Sequence, residues 1–182
     1  ATLWCTDPDQ ALLTYGHISD WDVSNVTSLQ GLFMSHNNGP CADFNDDVSS
    51  WDVSNVTNMH SVFQFTAFNG DLSSWDVSNV TNMMNMFGYS DFNGDLSSWD
   101  VSNVTTFKNA FPFMPNFEGI GLSSWDVSSC SNFENMFGNS NQFSECIGSW
   151  DMSSATNLGG MFGNTAMMCD VSGWELLSMP SY

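Results

Sequence analysis

Basic side chains are almost absent from this chain. Its 182 residues include one Lys or Arg, Lys108, against 20 Asp and Glu, which gives a formal net charge of −19 at pH 7. A protein that binds nucleic acid must neutralise phosphates, so this composition excludes nucleic acid as a partner. The same deficit disfavours anionic membrane surfaces. We expect salt or bound cations to screen the repulsion among the carboxylates.

Long apolar runs and catalytic motifs are missing as well. No segment reaches the roughly 18 consecutive apolar residues of a membrane-spanning helix, so we predict no direct membrane insertion. Neither a glycine-rich phosphate loop nor an H-E-x-x-H string is present, and His17, His36 and His60 have no metal-ligand spacing. We therefore predict that the protein is not an enzyme and requires no cofactor. The chain starts at Ala1 without Met or a signal peptide, which indicates a processed or excised segment.

The most regular feature that is present is a recurring tryptophan. Seven of the eight Trp residues follow one another at intervals of 24 to 30 residues, and four open the string W-D-V-S-N-V-T. They are Trp21, Trp51, Trp75, Trp99, Trp125, Trp150 and Trp174. A period of this length is typical of stacked coils, in which each coil buries its apolar side against its neighbours.

The cleanest repeat, residues 71–94, predicts the structure of one coil. Leu72, Trp75 and Val77 have the L-x-x-L-x-L spacing of a leucine-rich-repeat strand, and the apolar residues of 80–87 have helical spacing. We therefore predict an α/β solenoid of about seven coils. It would be leucine-rich-repeat-like, with a parallel sheet on one side and short helices or turns on the other.

The two ends of the chain differ from the middle. We predict an N-terminal cap over 1–20 (a short helix plus a strand), a repeat solenoid over 21–173 and a truncated last coil over 174–182. Solenoids need polar caps to stay monomeric. The bare last coil indicates either that the native chain continues or that this end docks on a partner.

The five cysteines divide into two predicted pairs and one free thiol. Cys146 and Cys169 precede the tryptophans of successive coils and should be close in space, whereas Cys5 and Cys41 lie outside the regular repeat. We predict the disulfides Cys146–Cys169 and Cys5–Cys41. Cys130 occupies a position that is Val in other coils, so we expect a buried free thiol. The pairs would indicate an oxidising, extracellular setting, and five reduced thiols are the alternative.

A row of carboxylates is the first candidate site. The Asp residues that follow the tryptophans would occupy one outward position on neighbouring strands, about 4.8 Å apart, where like charges repel. They are Asp22, Asp52, Asp76, Asp100, Asp126 and Asp151. One interpretation is that the row binds Ca²⁺. The other is that each Asp accepts hydrogen bonds from flanking serines and backbone amides without a metal.

A second acidic row falls in the loops that return to the next coil. It combines carboxylates with asparagines and contains Asp43, Asp46, Asp47, Asp71, Asp91 and Asp95 with Asn45, Asn69 and Asn93. Mixed Asp and Asn side chains suit Ca²⁺, but no segment reproduces an EF-hand loop, and turn chemistry alone explains N-G-D.

Four N-V-T sequons form the third candidate site. Each satisfies N-x-[ST] on a turn that should be exposed, and the four asparagines are Asn25, Asn55, Asn79 and Asn103. We hypothesise N-glycosylation at one or more of them. The alternative is that the repeat needs Asn and Thr at these positions for capping and for hydrogen bonds between coils.

The repeat as a whole resembles a known family. The unit F-N-G-D-L-S-S-W-D-V-S-N-V-T-N-M-x-x-M-F, which recurs over residues 15–175, resembles the repeat of mycoplasma-type surface lipoproteins, a relative of the BspA-like leucine-rich repeats. The resemblance implies a secreted or surface-exposed protein and no catalytic residues.

These features together predict a binding or structural protein. The first hypothesis is a secreted or cell-surface protein that presents an acidic sheet to a protein, to a glycan or to its own copies, with Ca²⁺ as a bridging ion. The second hypothesis is a structural subunit of an extracellular filament or surface layer.

Overall fold

The computed structural model describes residues 1–36 and 39–176, so residues 177–182 of the predicted last coil lie outside the described part. Two α-helices precede the repeats, α1 over Thr2–Thr6 and α2 over Pro8–Tyr15, and short 3-10 turns cover Ile18–Asp20 and Leu122–Ser124. The Asp7 carboxylate starts α2 by accepting the backbone N–H of Gln10 at 3.0 Å. The predicted N-terminal cap thus holds two helices and a 3-10 turn, and the strand expected there is wrong.

The predicted parallel sheet is also wrong. Over residues 1–36 and 39–176 the structure contains no β-strand, and neighbouring repeats are joined by isolated parallel bridges. In the expected strand, the Trp75 N–H donates to the Leu72 carbonyl at 3.1 Å and the Val80 N–H donates to the Val77 carbonyl at 2.9 Å. These groups are used inside the coil, so they are not available for a ladder. The inward and outward pattern of side chains comes from tight turns.

The expected helix over 80–87 is replaced by two successive turns. The Met86 N–H donates to the Met83 carbonyl at 3.3 Å, and the Ser90 N–H donates to the Phe87 carbonyl at 2.9 Å. The third residue of each turn, Asn85 or Tyr89, has a left-handed φ of 57° or 62°. A residue in that conformation ends a right-handed helix. The leucine-rich-repeat-like α/β solenoid is therefore the wrong fold class for this chain, which forms a column of turn-rich coils.

Backbone hydrogen bonds still connect each coil to both of its neighbours. The N–H groups of Met83 and Phe87 donate to carbonyls of the following repeat, at 3.2 Å to Thr106 and 2.9 Å to Ala110. The Thr81 N–H donates in the other direction, to the Thr57 carbonyl at 2.9 Å. The coils are thus held in register without extended strands.

Buried indole rings join the repeats on the inside. Five of the repeat tryptophans donate their Nε1–H to a backbone carbonyl of the preceding repeat, at 2.8 to 3.0 Å. The donors are Trp51, Trp75, Trp99, Trp125 and Trp150. Trp99, Trp125 and Trp150 also stack in turn, with ring centroids 6.4 Å apart. Each Trp therefore fills the core and satisfies a carbonyl of its neighbour.

Two columns of phenylalanine complete the core. One column has ring centroids 5.5 to 6.0 Å apart from repeat to repeat and contains Phe33, Phe63, Phe87, Phe111, Phe137 and Phe162. The second stacks against it in five of the repeats, with centroids 3.7 to 4.7 Å apart, and contains Phe44, Phe68, Phe92, Phe117 and Phe143. The core is therefore continuous along the column of repeats.

Both predicted disulfides are present. Cys5 is bonded to Cys41 and Cys146 is bonded to Cys169, while Cys130 is free and buried. Burial in the apolar core raises the pKa of the Cys130 thiol to about 12. The first bond ties α1 to the repeats across a separation of 36 residues.

Truncation of one central indole tests this core. Trp99→Ala removes a buried ring and its indole hydrogen bond to the Leu72 carbonyl, which keeps only the bond from the Trp75 N–H. We expect the free energy of unfolding to fall by roughly 3–5 kcal/mol, measured by urea denaturation. Leu13→Asn is the control, because Leu13 is 83% exposed and its replacement should change stability by less than about 0.5 kcal/mol. Equal urea midpoints for the two variants would contradict the assignment of Trp99 to the core.

Candidate functional site

The first acidic row is exposed, and every member caps a turn. In each case one carboxylate oxygen of the Asp accepts the backbone N–H two residues later, at 2.9 to 3.1 Å. The pairs are Asp22–Ser24, Asp52–Ser54, Asp76–Ser78, Asp100–Ser102, Asp126–Ser128 and Asp151–Ser153. This is the Asx turn, which Asp favours because its side chain reaches its own backbone two residues on. We call these six carboxylates the acidic column.

Hydrogen bonds compensate the repulsion within the acidic column. The Ser54 hydroxyl and backbone N–H lower the pKa of Asp52, and this effect outweighs the repulsion from Asp22, which raises it. The pKa values of Asp22, Asp100 and Asp151 are lowered by the same kind of contacts. The structure therefore has the hydrogen-bonded arrangement that was the alternative to metal binding, and the lowered pKa values keep Asp22, Asp52, Asp100 and Asp151 ionised at neutral pH.

The second acidic row does not act as one group. Asp47, Asp71 and Asp95 cap turns in the same way, and hydrogen bonds from Ser49, Ser73 and Ser97 lower their pKa values. Asp46 instead accepts the indole N–H of Trp4 at 2.6 Å.

The asparagines of this row link the coils. The Asn45 side-chain oxygen accepts the Asn69 N–H, and the Asn69 oxygen accepts the Asn93 N–H, both at 2.8 Å. Their role is thus accounted for by hydrogen bonding between repeats. Among the residues that the structure describes, no three His, Cys, Asp or Glu side chains are grouped closely enough to hold a metal ion.

Three of the four sequon asparagines use their amide between coils. The Nδ2 groups of Asn55, Asn79 and Asn103 each donate at 2.8 Å to the carbonyl of a Ser in the preceding repeat. Asn25 lies in the first repeat, and its side chain has no hydrogen-bond partner within 1–36 and 39–176. All four side chains are exposed.

A further surface feature was missed at the sequence level. A groove of about 350 Å³ runs beside the left-handed turns, with the amides of Asn85, Asn109 and Asn135 in its lining. Tyr89 and Phe113 also line it, and its remaining lining residues carry no charge. The available signal was the Asn that recurs two residues before a core Phe, as N-x-F, but we assigned that segment to a helix.

The aromatic residues of this groove belong to a stacked series. The ring centroids of Phe65 and Tyr89 lie 4.5 Å apart, as do those of Tyr89 and Phe113, and His36 lies 5.2 Å from Phe65. Tyr89 and Phe113 remain 43% and 45% exposed. We call Phe65, Tyr89 and Phe113 the aromatic ladder.

Comparison with known proteins gives a family but no function. The family described as "Mycoplasma protein of unknown function, DUF285" matches residues 9–118 and 88–181. The chain belongs to this family. No curated protein and no solved structure matches it. The match agrees with the resemblance to a mycoplasma-type repeat, while the relation to BspA-like leucine-rich repeats is not confirmed. In the described residues, no helix is long and apolar enough to cross a membrane.

The capped carboxylates predict the response of the fold to acid. Because the pKa values of Asp22, Asp52, Asp100 and Asp151 are lowered in the folded state, their contribution to stability is present above the unfolded pKa and is lost as pH falls through the folded pKa. We expect the Tm to stay level from pH 7 to about pH 4 and to fall below it. The variant with Asp22→Asn, Asp52→Asn, Asp100→Asn and Asp151→Asn keeps the acceptor oxygens, but these four positions no longer titrate. Its Tm should fall less, and identical acid profiles would contradict this account.

The sequons predict an order of occupancy. In a eukaryotic secretory host, we expect Asn25 to carry more glycan than Asn79, because the Asn79 amide already donates to the neighbouring coil. Intact-mass analysis of Asn25→Gln and Asn79→Gln variants measures the difference. A larger loss of glycan mass from Asn79→Gln would contradict the order.

Proposed function

We propose that this protein is an extracellular binding protein that uses the acidic column to hold a basic partner. The two disulfides support an oxidising compartment. The partner would be a basic protein surface. The proposal assigns no catalytic residues and no required cofactor.

The observation that carries the proposal is the fixed placement of the carboxylates in the acidic column. Each one is oriented by its own turn, as at Asp76, where the Ser78 N–H and hydroxyl donate at 3.1 Å and 2.6 Å. A preorganised charge loses less conformational entropy on binding than a free side chain. A row of such charges also steers a basic partner toward it.

The charge of the rest of the chain points to the same class of partner. Its single basic side chain, Lys108, lies 2.8 Å from the Glu134 carboxylate and is neutralised there. The chain therefore offers little positive charge to an acidic ligand.

Binding to poly-L-lysine tests whether affinity resides in the acidic column. The variant with Asp52→Asn, Asp76→Asn and Asp100→Asn keeps the turn acceptors and loses three charges. We expect its Kd in 0.15 M salt to rise about 10-fold, since each exposed ion pair contributes about 0.2–1 kcal/mol. The control with Asp9→Asn, Asp20→Asn and Glu118→Gln loses the same charge elsewhere and should shift the Kd less than about 2-fold. Equal shifts for both variants would show that only net charge matters and would sink the proposal.

A structural subunit of a filament or surface layer is the second candidate function. The acidic column favours it only with a bridging cation, because two copies would otherwise meet with like charges. Size-exclusion chromatography with Ca²⁺ and then with chelator separates the two candidates. A concentration-dependent polymer that chelator dissolves supports the structural role. A sharp monomer in both conditions supports the binding role.

A further inference from the structure

The aromatic ladder places large side chains where the backbone disfavours them. Phe65, Tyr89 and Phe113 have φ values of 60°, 62° and 56°, a left-handed conformation that is unusual for bulky residues. Nothing in the fold demands an aromatic ring at this position. The equivalent residues of the next two repeats are Asn139 and Asn164, with φ values of 62° and 57°.

Four of these five positions have the same backbone hydrogen bond to the following repeat, and Asn164 shares their left-handed φ. The N–H of Tyr89 donates to the Pro112 carbonyl, that of Phe113 to the Gly138 carbonyl and that of Asn139 to the Gly163 carbonyl. Asn tolerates the left-handed region because its short side chain bonds locally. The rings therefore replace a residue that suits the backbone better. Tyr89 and Phe113 are nearly half exposed and Phe65 is partly buried, so none of the three lies in the core.

The groove beside the ladder presents amides that are not used between coils. Within the described chain, the side-chain amides of Asn109 and Asn135 have no hydrogen-bond partner, whereas the amides of Asn55, Asn79 and Asn103 link repeats. Each free amide offers two donors and one acceptor oxygen. Small buried residues, among them Pro112 and Gly138, keep the groove open between the amides and the rings.

The chemistry of this groove differs from that of the rest of the surface. In a chain of net charge −19, the groove has no charged side chain in its lining. An anionic ligand finds no counter-charge there, and a basic ligand gains more at the acidic column. Amides that donate and accept together with aromatic rings match a ligand that has hydroxyl groups on one side and C–H groups on the other.

We propose that the groove lined by Asn85, Asn109, Asn135, Tyr89 and Phe113 binds an uncharged saccharide chain. The amides of Asn109 and Asn135 bond its hydroxyl groups, because the Asn85 amide is already within 3.3 Å of the His60 ring nitrogen. The exposed edges of the stacked rings contact its C–H groups. This inference rests on the proposed binding role but uses none of the carboxylates of the acidic column. Experiments can therefore reject either site without rejecting the other.

Affinity electrophoresis through gels that contain soluble neutral polysaccharides tests the site. The probes are β-glucan, xyloglucan, mannan and dextran, with alginate as an anionic comparison. We expect at least one neutral polysaccharide to retard the protein and alginate not to. The variant Tyr89→Asn with Phe113→Asn should bind that polysaccharide roughly 10-fold more weakly. Its Tm should stay within about 4 °C of the parent, because Asn occupies the same backbone position in later repeats.

A second variant tests the amides without the rings. Asn109→Gly with Asn135→Gly keeps the left-handed backbone, since Gly31 and Gly160 hold the equivalent positions with φ values of 63° and 67°. It should weaken binding by a similar factor. Leu13→Asn, which removes an exposed apolar side chain from α2, is the matched control and should bind as the parent does.

Several results would overturn the inference. The first is that none of the neutral polysaccharides retards the protein. The second is that both groove variants bind like the parent, and the third is that Leu13→Asn loses as much binding as the groove variants do. Retardation by alginate alone would point to a cation-mediated site and would also reject it. The variant with Asp52→Asn, Asp76→Asn and Asp100→Asn should bind the neutral polysaccharide like the parent, and if it does not, the groove is not the site.

Discussion

The hydrogen bond from each buried indole to the preceding repeat is the contact on which this structure depends. It sets how far one coil lies from the next, because Trp75, Trp99 and Trp125 each reach a carbonyl of the preceding coil at 3.0 Å. With that spacing fixed, the phenylalanines stack inside and equivalent turn residues line up outside. Every surface row that we describe follows from this register. A change that shortens one indole therefore disturbs both the core and the surface rows on either side.

Turns replace strands because the repeat satisfies its backbone locally. In L-S-S-W and V-S-N-V the fourth residue donates to the first, so the chain closes into a coil over few residues. Ser and Asn side chains then supply the bonds between coils that a sheet would make with its backbone. The Ser74 hydroxyl, for example, donates to the Ser49 carbonyl at 2.6 Å, and the Asn79 amide donates to Ser54 at 2.8 Å. Because the backbone closes each coil while Ser and Asn side chains connect the coils, a chain so rich in Ser and Asn still has a continuous core.

The sequence was sufficient to predict which side chains are buried but not the conformation that buries them. Trp75 and Val77 face inward in a strand and in a pair of turns alike, so the pattern of burial could not separate the two. The residue at Asn85 held the deciding information, because a left-handed turn favours Asn. The disulfides were predictable because Cys146 and Cys169 occupy nearly equivalent places in neighbouring repeats. The groove was not, since it depends on the turn at Tyr89 that a helix would not form.

Features that hold the fold can be distinguished from features that serve binding by the number of repeats in which each one occurs. Three features recur through nearly every repeat, as their role in holding the register requires. They are the indole hydrogen bonds, the bonds between threonines of neighbouring repeats, such as Thr81 to Thr57, and the aspartates that cap turns. The aromatic ladder occupies only the central repeats and gives way to Asn139 and Asn164 beyond them. A feature that the register needs should not stop part-way along it. The ladder is therefore not part of what holds the register, and this is why we propose a binding role for it, whereas the Asx turns would be needed for folding even if the acidic column had no partner.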